Sequence, residues 1–351
     1  MVPGTRMMVS LAVFCLTGVC SLALTGLVRR YAVQRLLDVP NARSSHATPT
    51  PRGGGAAIVI CTLVVVATAS WNGWLSHGAA LALGGGGVIV ALVGWIDDHA
   101  PLSAAVRASA HLVAAVWVVT SGGGMPALEM GVVTLPLGAV GSVLAVIGVV
   151  WMTNLYNFMD GIDGLAGVET LIAGGVGGLL LCAAGQPGLA AIMVGLAGSS
   201  AGFLRWNWSP ARIFLGDVGS GFIGFVVSSL AVLSERRHAV PLLVFAILFG
   251  VFILDATVTL LRRLGRGERW AEAHLSHAYQ RSVQQGGGHA RVACGVAVLD
   301  LVLAALAWMA WSRPVALLPS VAVATVMLAA VYRWVGHRAP MASLAPANPD
   351  G

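Results

Sequence analysis

The chain has 351 residues, of which 57% are hydrophobic and 10% charged, with a mean hydropathy of +0.85. A water-soluble globule needs roughly a quarter of its residues charged to cover itself, so one core in water is excluded, as are a disordered chain, a coiled coil and a disulfide scaffold. All 20 basic residues are arginine, which excludes a catalytic lysine; the net charge of +6 sits on arginines between apolar runs, the pattern of a membrane topology signal rather than of nucleic-acid binding.

A membrane span needs about 20 apolar residues to cross some 30 Å of hydrocarbon. Eleven runs fit, at residues 7–28, 54–72, 79–96, 103–120, 136–156, 165–184, 188–204, 219–234, 240–261, 290–311 and 314–333. The first is not a signal peptide by charge order: Arg6 alone precedes it, while Arg29, Arg30 and Arg35 follow. With the N-terminus outside, sixteen of the twenty arginines fall on the cytoplasmic side, and Arg236-Arg237 is the one discordant pair. The expected fold is therefore all-α: a polytopic bundle of 10 or 11 transmembrane helices, N-out and C-in. It forms one integral membrane domain over 1–338, with a tail at 339–351. The 45 glycines suit close helix contacts, and the five cysteines (Cys15, Cys20, Cys61, Cys182, Cys294) read as small buried hydrophobes without metal or disulfide spacing.

On this threading the cytoplasmic loops, at about 30–53, 97–102, 157–164, 205–218 and 262–289, hold nearly all the reactive side chains. Acids at helix mouths beside arginines suggest a metal and an anionic substrate. In the first loop, Arg43, His46 and Arg52 could meet a phosphate, the last within Thr48-Pro-Thr-Pro-Arg52-Gly-Gly-Gly55; a stiff linker is the alternative. Asp97 and Asp98 close the third span. That is a cheap place for acids, yet adjacent carboxylates repel unless a cation or proton sits between them. Asn154, Asn157 and Asp160 are spaced by three and would share one face if the fifth span continues, with Gly161 and Gly164 permitting a turn before and after Asp163. In Phe214-Leu-Gly216-Asp217-Val-Gly219-Ser220-Gly221 a glycine-rich turn opens a helix. Free N–H groups there bind phosphate and the aspartate can hold Mg²⁺, capping being the alternative. His274 and His277 with Arg281 suit hydrogen bonding to an anion better than zinc, for which no third ligand has suitable spacing. Asp255 lies within the ninth span and Asp300 within the tenth; the sequence assigns Asp300 no role.

Taken in order, Pro-Thr-Pro-Arg-Gly-Gly, Asp97-Asp98, Asn157-x-x-Asp160-Gly-x-Asp163-Gly, Asn207 with Pro210-Ala-Arg-Ile-Phe-Leu-Gly216-Asp217-x-Gly-Ser, and the histidine loop resemble the polyprenyl-phosphate N-acetylhexosamine-1-phosphate transferases of glycosyltransferase family 4. The resemblance runs from about residue 38 to 281. The Asp-Val-Pro-Asn-Ala-Arg-Ser-Ser-His and His-x-Ser-His-Ala-Tyr-Gln forms are similar to the O-antigen-initiating branch. Pro101 stands where many members carry a further acid, and Arg212 stands where lysine is common.

The resemblance implies transfer of an N-acetylhexosamine 1-phosphate from a UDP-N-acetylhexosamine to undecaprenyl phosphate, with release of UMP, at the cytoplasmic face of the bacterial inner membrane. It implies Mg²⁺, with Mn²⁺ as a substitute. Asp217 would be a metal ligand and Asp98 would support the metal or the acceptor, Asp160 and Asp163 would shape the metal or nucleotide site, and Asp97 would deprotonate the lipid phosphate or position it, positioning being preferred. Asn154, Asn157, Asn207 and Arg212 join Arg43, His46, Arg52, His274, His277 and Arg281 as substrate-binding candidates. The expected partners are these two substrates and the bilayer, with a homodimer and without nucleic acid. A secondary transporter or flippase of a polyprenyl-linked sugar is the alternative.

Overall fold

A computed structural model describes residues 3–40, 48–268 and 275–338. Fourteen α-helices run through them, α1 (Pro3–Arg35), α2 (Ala56–Trp71), α3 (His77–His99), α4 (Ala104–Ser121), α5 (Gly138–Phe158), α6 (Leu165–Glu169), α7 (Gly175–Ala183), α8 (Pro187–Asn207), α9 (Asp217–Arg236), α10 (Leu242–Leu248), α11 (Gly250–Gly265), α12 (Ala278–Ser282), α13 (His289–Ser312) and α14 (Leu317–Arg338). A π-helical turn, Thr170–Gly174, joins α6 to α7 in a single apolar run. The strand content is two short antiparallel pairs: β1 (Leu37–Asp38) with β2 (Thr50–Pro51), and β3 (Ala127–Glu129) with β4 (Thr134–Pro136). The protein is a polytopic membrane helical bundle.

Each of the eleven expected runs coincides with a helix or a helix pair. Among the described residues nine are long and apolar enough to cross a membrane, ten if the bent pair α10–α11 is one span; α2, with 16 residues, is apolar but shorter. The ninth expected span is thus not a straight helix. It bends by 81° at Phe249, beside Gly250, which admits the Leu328 side chain of α14 where a Cβ would stand.

α8 and α9 form the centre, with 83% and 89% of their apolar windows buried. Their small residues make this possible. Gly198 and Gly202 of α8 meet the α1 backbone at Phe14 and Gly18, and Gly224 of α9 meets the α5 backbone at Met152. Polar starts are capped locally: Ser76 accepts from the Ala79 N–H and Ser103 from that of Val106, while Pro187 opens α8. Cys61 and Cys182 are buried as expected, whereas Cys15, Cys20 and Cys294 lie on the outer surface, where lipid contact serves an apolar thiol as well as a core does.

Candidate active site

The start of α9 is built from distant pieces. The glycine loop before α2 lies along residues 213–216: the Phe214 N–H donates to Pro51 O (2.8 Å), and the Gly54 and Gly55 N–H groups donate to Phe214 O (2.9 Å) and Leu215 O (2.8 Å). Gly55 touches Gly219 so closely that neither could carry a Cβ, and Gly94 of α3 meets the Asp217 backbone in the same way. Gly216 turns with φ +77°, which aims the first amides of α9 at the end of α3. There Asp98 accepts from both, Oδ1 from the Asp217 N–H (3.1 Å) and Oδ2 from that of Val218 (3.2 Å). Arg52 donates from Nε (3.0 Å) and Nη2 (2.7 Å) to the Asp98 carbonyl, closing the carboxyl end of α3. Asp97 accepts from the Leu102 N–H (2.5 Å) and from Arg107 Nη1 (2.8 Å), and its carboxyl lies beside that of Asp217.

The loop after α5 supplies the other acids. Because α5 ends at Phe158, Asp160 is off the helix, so the expected common face for Asn154, Asn157 and Asp160 is corrected. Asn154 donates back to Val150 O (2.7 Å) and sits beside His111 of α4, away from the cleft, whereas Asn157 and Asp160 line it. Gly164, at φ +80°, donates to Asn207 Oδ1 (2.9 Å), and Asn207 Nδ2 donates to Ile213 O (3.0 Å), so this amide ties the two acidic loops together. Asp163 Oδ2 accepts from the Ala211 N–H (3.1 Å) and lies 3.2 Å from His289 Nδ1 at the start of α13. Burial raises the Asp163 carboxyl, but its bond to His289, that ring's charge and the Ala211 amide outweigh burial and hold it below the usual carboxylate range. Asp160 has no such help. Burial, then the charges of Asp217, Asp98 and Asp163, push it well above that range.

The resulting cleft, about 250 Å³, is lined by Arg52, Asp98, Asn157, Asp160, Asp163, Asn207 and Asp217 among the expected residues, with Asp97 beside Asp217. It also holds three residues not assigned from sequence: Asp38, Gln280 and His289. Gln280 accepts from the His277 N–H, a local capping pattern readable in the motif; Asp38 opens the Asp-Val-Pro-Asn-Ala-Arg-Ser-Ser-His stretch without a role assigned to it, and nothing short-range pointed to His289. Several expected substrate contacts do not reach the cleft. Arg212 is exposed, its carbonyl taken by Arg29 Nε (3.1 Å). His277 is buried 3.5 Å from Asp255, which also accepts from the Ala278 N–H (2.9 Å), and Arg281 is buried against the Tyr332 ring at 5.3 Å. Arg43, His46 and His274 lie outside the described residues.

Among the described residues no three His, Cys, Asp or Glu side chains form a ready-made metal cage. The donor chemistry of the cleft still suits a hard divalent cation. The oxygens of Asp217, Asp160 and Asn157 share one small space, and Mg²⁺ takes only one or two protein carboxylates when substrate phosphates and water complete its shell. Of the two acids expected to hold metal, Asp98 already spends both oxygens on the α9 amides, which leaves Asp217 the better placed.

Comparison with known proteins gives a consistent picture. A profile of the family described as "Glycosyl transferase family 4" matches residues 80–235. The Bacillus subtilis (strain 168) protein named "Probable undecaprenyl-phosphate N-acetylglucosaminyl 1-phosphate transferase" is 30% identical over 289 residues, covering 81% of this chain and 80% of its own. The "Decaprenyl-phosphate N-acetylglucosaminephosphotransferase" of Mycobacterium leprae is 34% identical over 289 residues, 72% of this chain and 71% of its own. The "Phospho-N-acetylmuramoyl-pentapeptide-transferase" of Alkaliphilus oremlandii is 34% identical over 267 residues, 67% and 77% respectively.

Proposed function

Because the chain belongs to glycosyl transferase family 4, we propose that it transfers a sugar 1-phosphate from a UDP-N-acetylhexosamine to undecaprenyl phosphate, with release of UMP. The observation that carries this reading is the convergence of Asp97, Asp98, Asp160, Asp163 and Asp217 from three separate segments at one small cleft. Two anionic substrates meet in an acidic pocket only if a cation offsets both. Mg²⁺, with Mn²⁺ as substitute, would be held by Asp217 and Asp160 with Asn157 beside them. When bound it would neutralise the pyrophosphate and the charge that builds toward UMP.

The chain's own residues then have distinct tasks. The lipid phosphate oxygen forms a bond to the sugar-proximal phosphorus as the bond from that phosphorus to the UMP oxygen breaks. A phosphate monoester is largely dianionic near neutral pH, so no strong base is required and Asp97, fixed by Arg107 and Leu102, serves to position the acceptor. Asp98 holds the α9 N-terminus in place, and with it Asp217. His289 and Asn207 fix Asp163 and Gly164, and so the loop that carries Asp160.

N-acetylglucosamine is the favoured sugar, on the names of two relatives. The active face is proposed to be cytoplasmic, in the inner membrane of a bacterium, on the arginine distribution. Use of the product in O-antigen assembly rests on the two motif resemblances alone. A panel of UDP-sugars offered with undecaprenyl phosphate tests the reading. UMP should appear with UDP-N-acetylglucosamine as donor and only when the lipid is present; sugar uptake into vesicles without UMP would indicate a carrier instead.

A further inference from the structure

Two acids lie deep in the bundle that the proposed reaction does not use. Glu169 is the last residue of α6 and Asp300 lies midway along α13; they are 0% and 1% exposed. Their carboxyl groups face each other across the α6–α13 contact, and no other described residue gives any of the four oxygens a hydrogen bond. The other buried acids differ. Asp97, Asp98, Asp163, Glu235 and Asp255 each accept from at least one backbone amide, those of Leu102, Asp217, Ala211, Leu242 and Ala278 among them. Glu169 and Asp300 therefore form the one buried acidic contact, among the described residues, to which the protein supplies no donor.

Two ionised carboxylates in contact at hydrocarbon depth would suffer both desolvation and mutual repulsion. Something must lie between them. A metal ion needs more oxygens than two side chains offer, and among the described residues no third His, Cys, Asp or Glu joins them. Among the described residues no arginine or histidine faces the pair; the nearby titratable group is Tyr156, whose hydroxyl is bonded to Thr170 Oγ1 (2.7 Å). We propose that Glu169 and Asp300 form an intramembrane proton-binding site, in which at least one carboxyl is kept as the acid and donates its hydrogen to the other.

The placement gives the proton a mechanical role. α6 follows directly from the loop of Asp160 and Asp163, and α13 begins at His289. These two elements are joined at the cleft by the Asp163–His289 pair, and about 16 Å further along α13 by the Glu169–Asp300 pair. The π-helical turn starts immediately after Glu169, where the helix is least regular and most able to shift. Protonated, the pair fastens α13 to α6 and keeps His289 on Asp163. Ionised, it pushes the two apart.

Infrared difference spectroscopy on the purified full chain tests this directly. At neutral pH the wild type should show the C=O absorption of an un-ionised carboxylic acid that is lost in E169Q/D300N and unaffected by added Na⁺ or K⁺. The amide variant, which keeps a neutral hydrogen-bonded contact, should also retain UMP release to higher pH than the wild type. Should the double variant not fold, ¹³C-carboxyl labelling of the unmutated chain, with glutamate and separately with aspartate, should shift the same band in at least one of the two samples. A wild type in which both positions absorb only as carboxylates overturns the proposal, as does an acid band replaced by carboxylate on addition of a monovalent cation.

Discussion

Asp98 and Asp217, 119 positions apart, meet through the backbone: the carboxylate that ends α3 accepts the amide that begins α9. Its second oxygen takes the next amide, of Val218, so an acid at the end of one helix caps the start of another. The relationship gives Asp98 a structural task distinct from the metal role that adjacent carboxylates suggest. Asp98→Ala should lower thermal stability by about 1–2 kcal/mol and slow UMP release at least about tenfold, because it frees the segment carrying Asp217. Asp98→Asn, which keeps one good acceptor, should lie between, as read by unfolding midpoints in detergent alongside turnover.

The contact of Gly55 with Gly219 tolerates no side chain on either partner, since what lies opposite is backbone. Gly55→Ala should therefore cost about 3 kcal/mol or prevent folding, whereas Gly78→Ala, which would meet nothing, should leave the unfolding temperature and yield unchanged.

Two asparagines three residues apart should behave differently. Asn157 lines the cleft and Asn154 does not. Asn157→Ala should reduce kcat/KM by roughly tenfold or more, about 1.4 kcal/mol of transition-state stabilisation, while Asn154→Ala leaves it within a factor of about two.

Asp163 provides a pH dependence with a definite sign. Its carboxyl is held below its unfolded value, near 4, so its contribution to stability is complete above that value and fades only as pH falls through the lower folded one. His289→Ala removes the largest offset to burial, so the Asp163 carboxyl rises: the variant should be less stable than the wild type at neutral pH, and the gap should narrow as pH falls toward about 4. Unfolding temperatures between neutral pH and about pH 4 read the difference, and coincident curves would remove His289 from this role.

The Tyr279 hydroxyl donates to the carbonyl of Phe158, at the end of α5, and packs onto Gly161. Tyr279→Phe should cost about 1 kcal/mol of stability. Gly161→Ala, which drives a methyl into that hydroxyl, should cost more in turnover than in stability because it displaces Asp160.

The span pattern was readable because lipid imposes a length and a hydropathy on each helix, and all eleven runs found helices. The break at Phe249 was not, since Leu242–Gly265 is apolar on both sides of it and the bend follows from packing against α14. The acids of the cleft were legible as motifs beside glycine turns. Their division of labour was not: whether Asp98 caps a helix or holds a metal depends on where residue 217 lies in space. His277 and Arg281 look like anion ligands in sequence, yet Asp255 and Tyr332, from other helices, occupy them. Glu169 left no trace in the sequence because a single acid in an apolar run has no meaning until Asp300 is seen opposite.

The dependence of UMP release on Mg²⁺ in Asp217→Asn, measured with UDP-N-acetylglucosamine and undecaprenyl phosphate, tests the central claim most directly. The cleft geometry predicts that the wild type requires the cation and loses turnover to a chelator, while the variant releases little or no UMP at any Mg²⁺ concentration. A variant that releases UMP with the wild-type Mg²⁺ dependence would contradict the assignment of that carboxylate, and of the cleft around it, to the reaction.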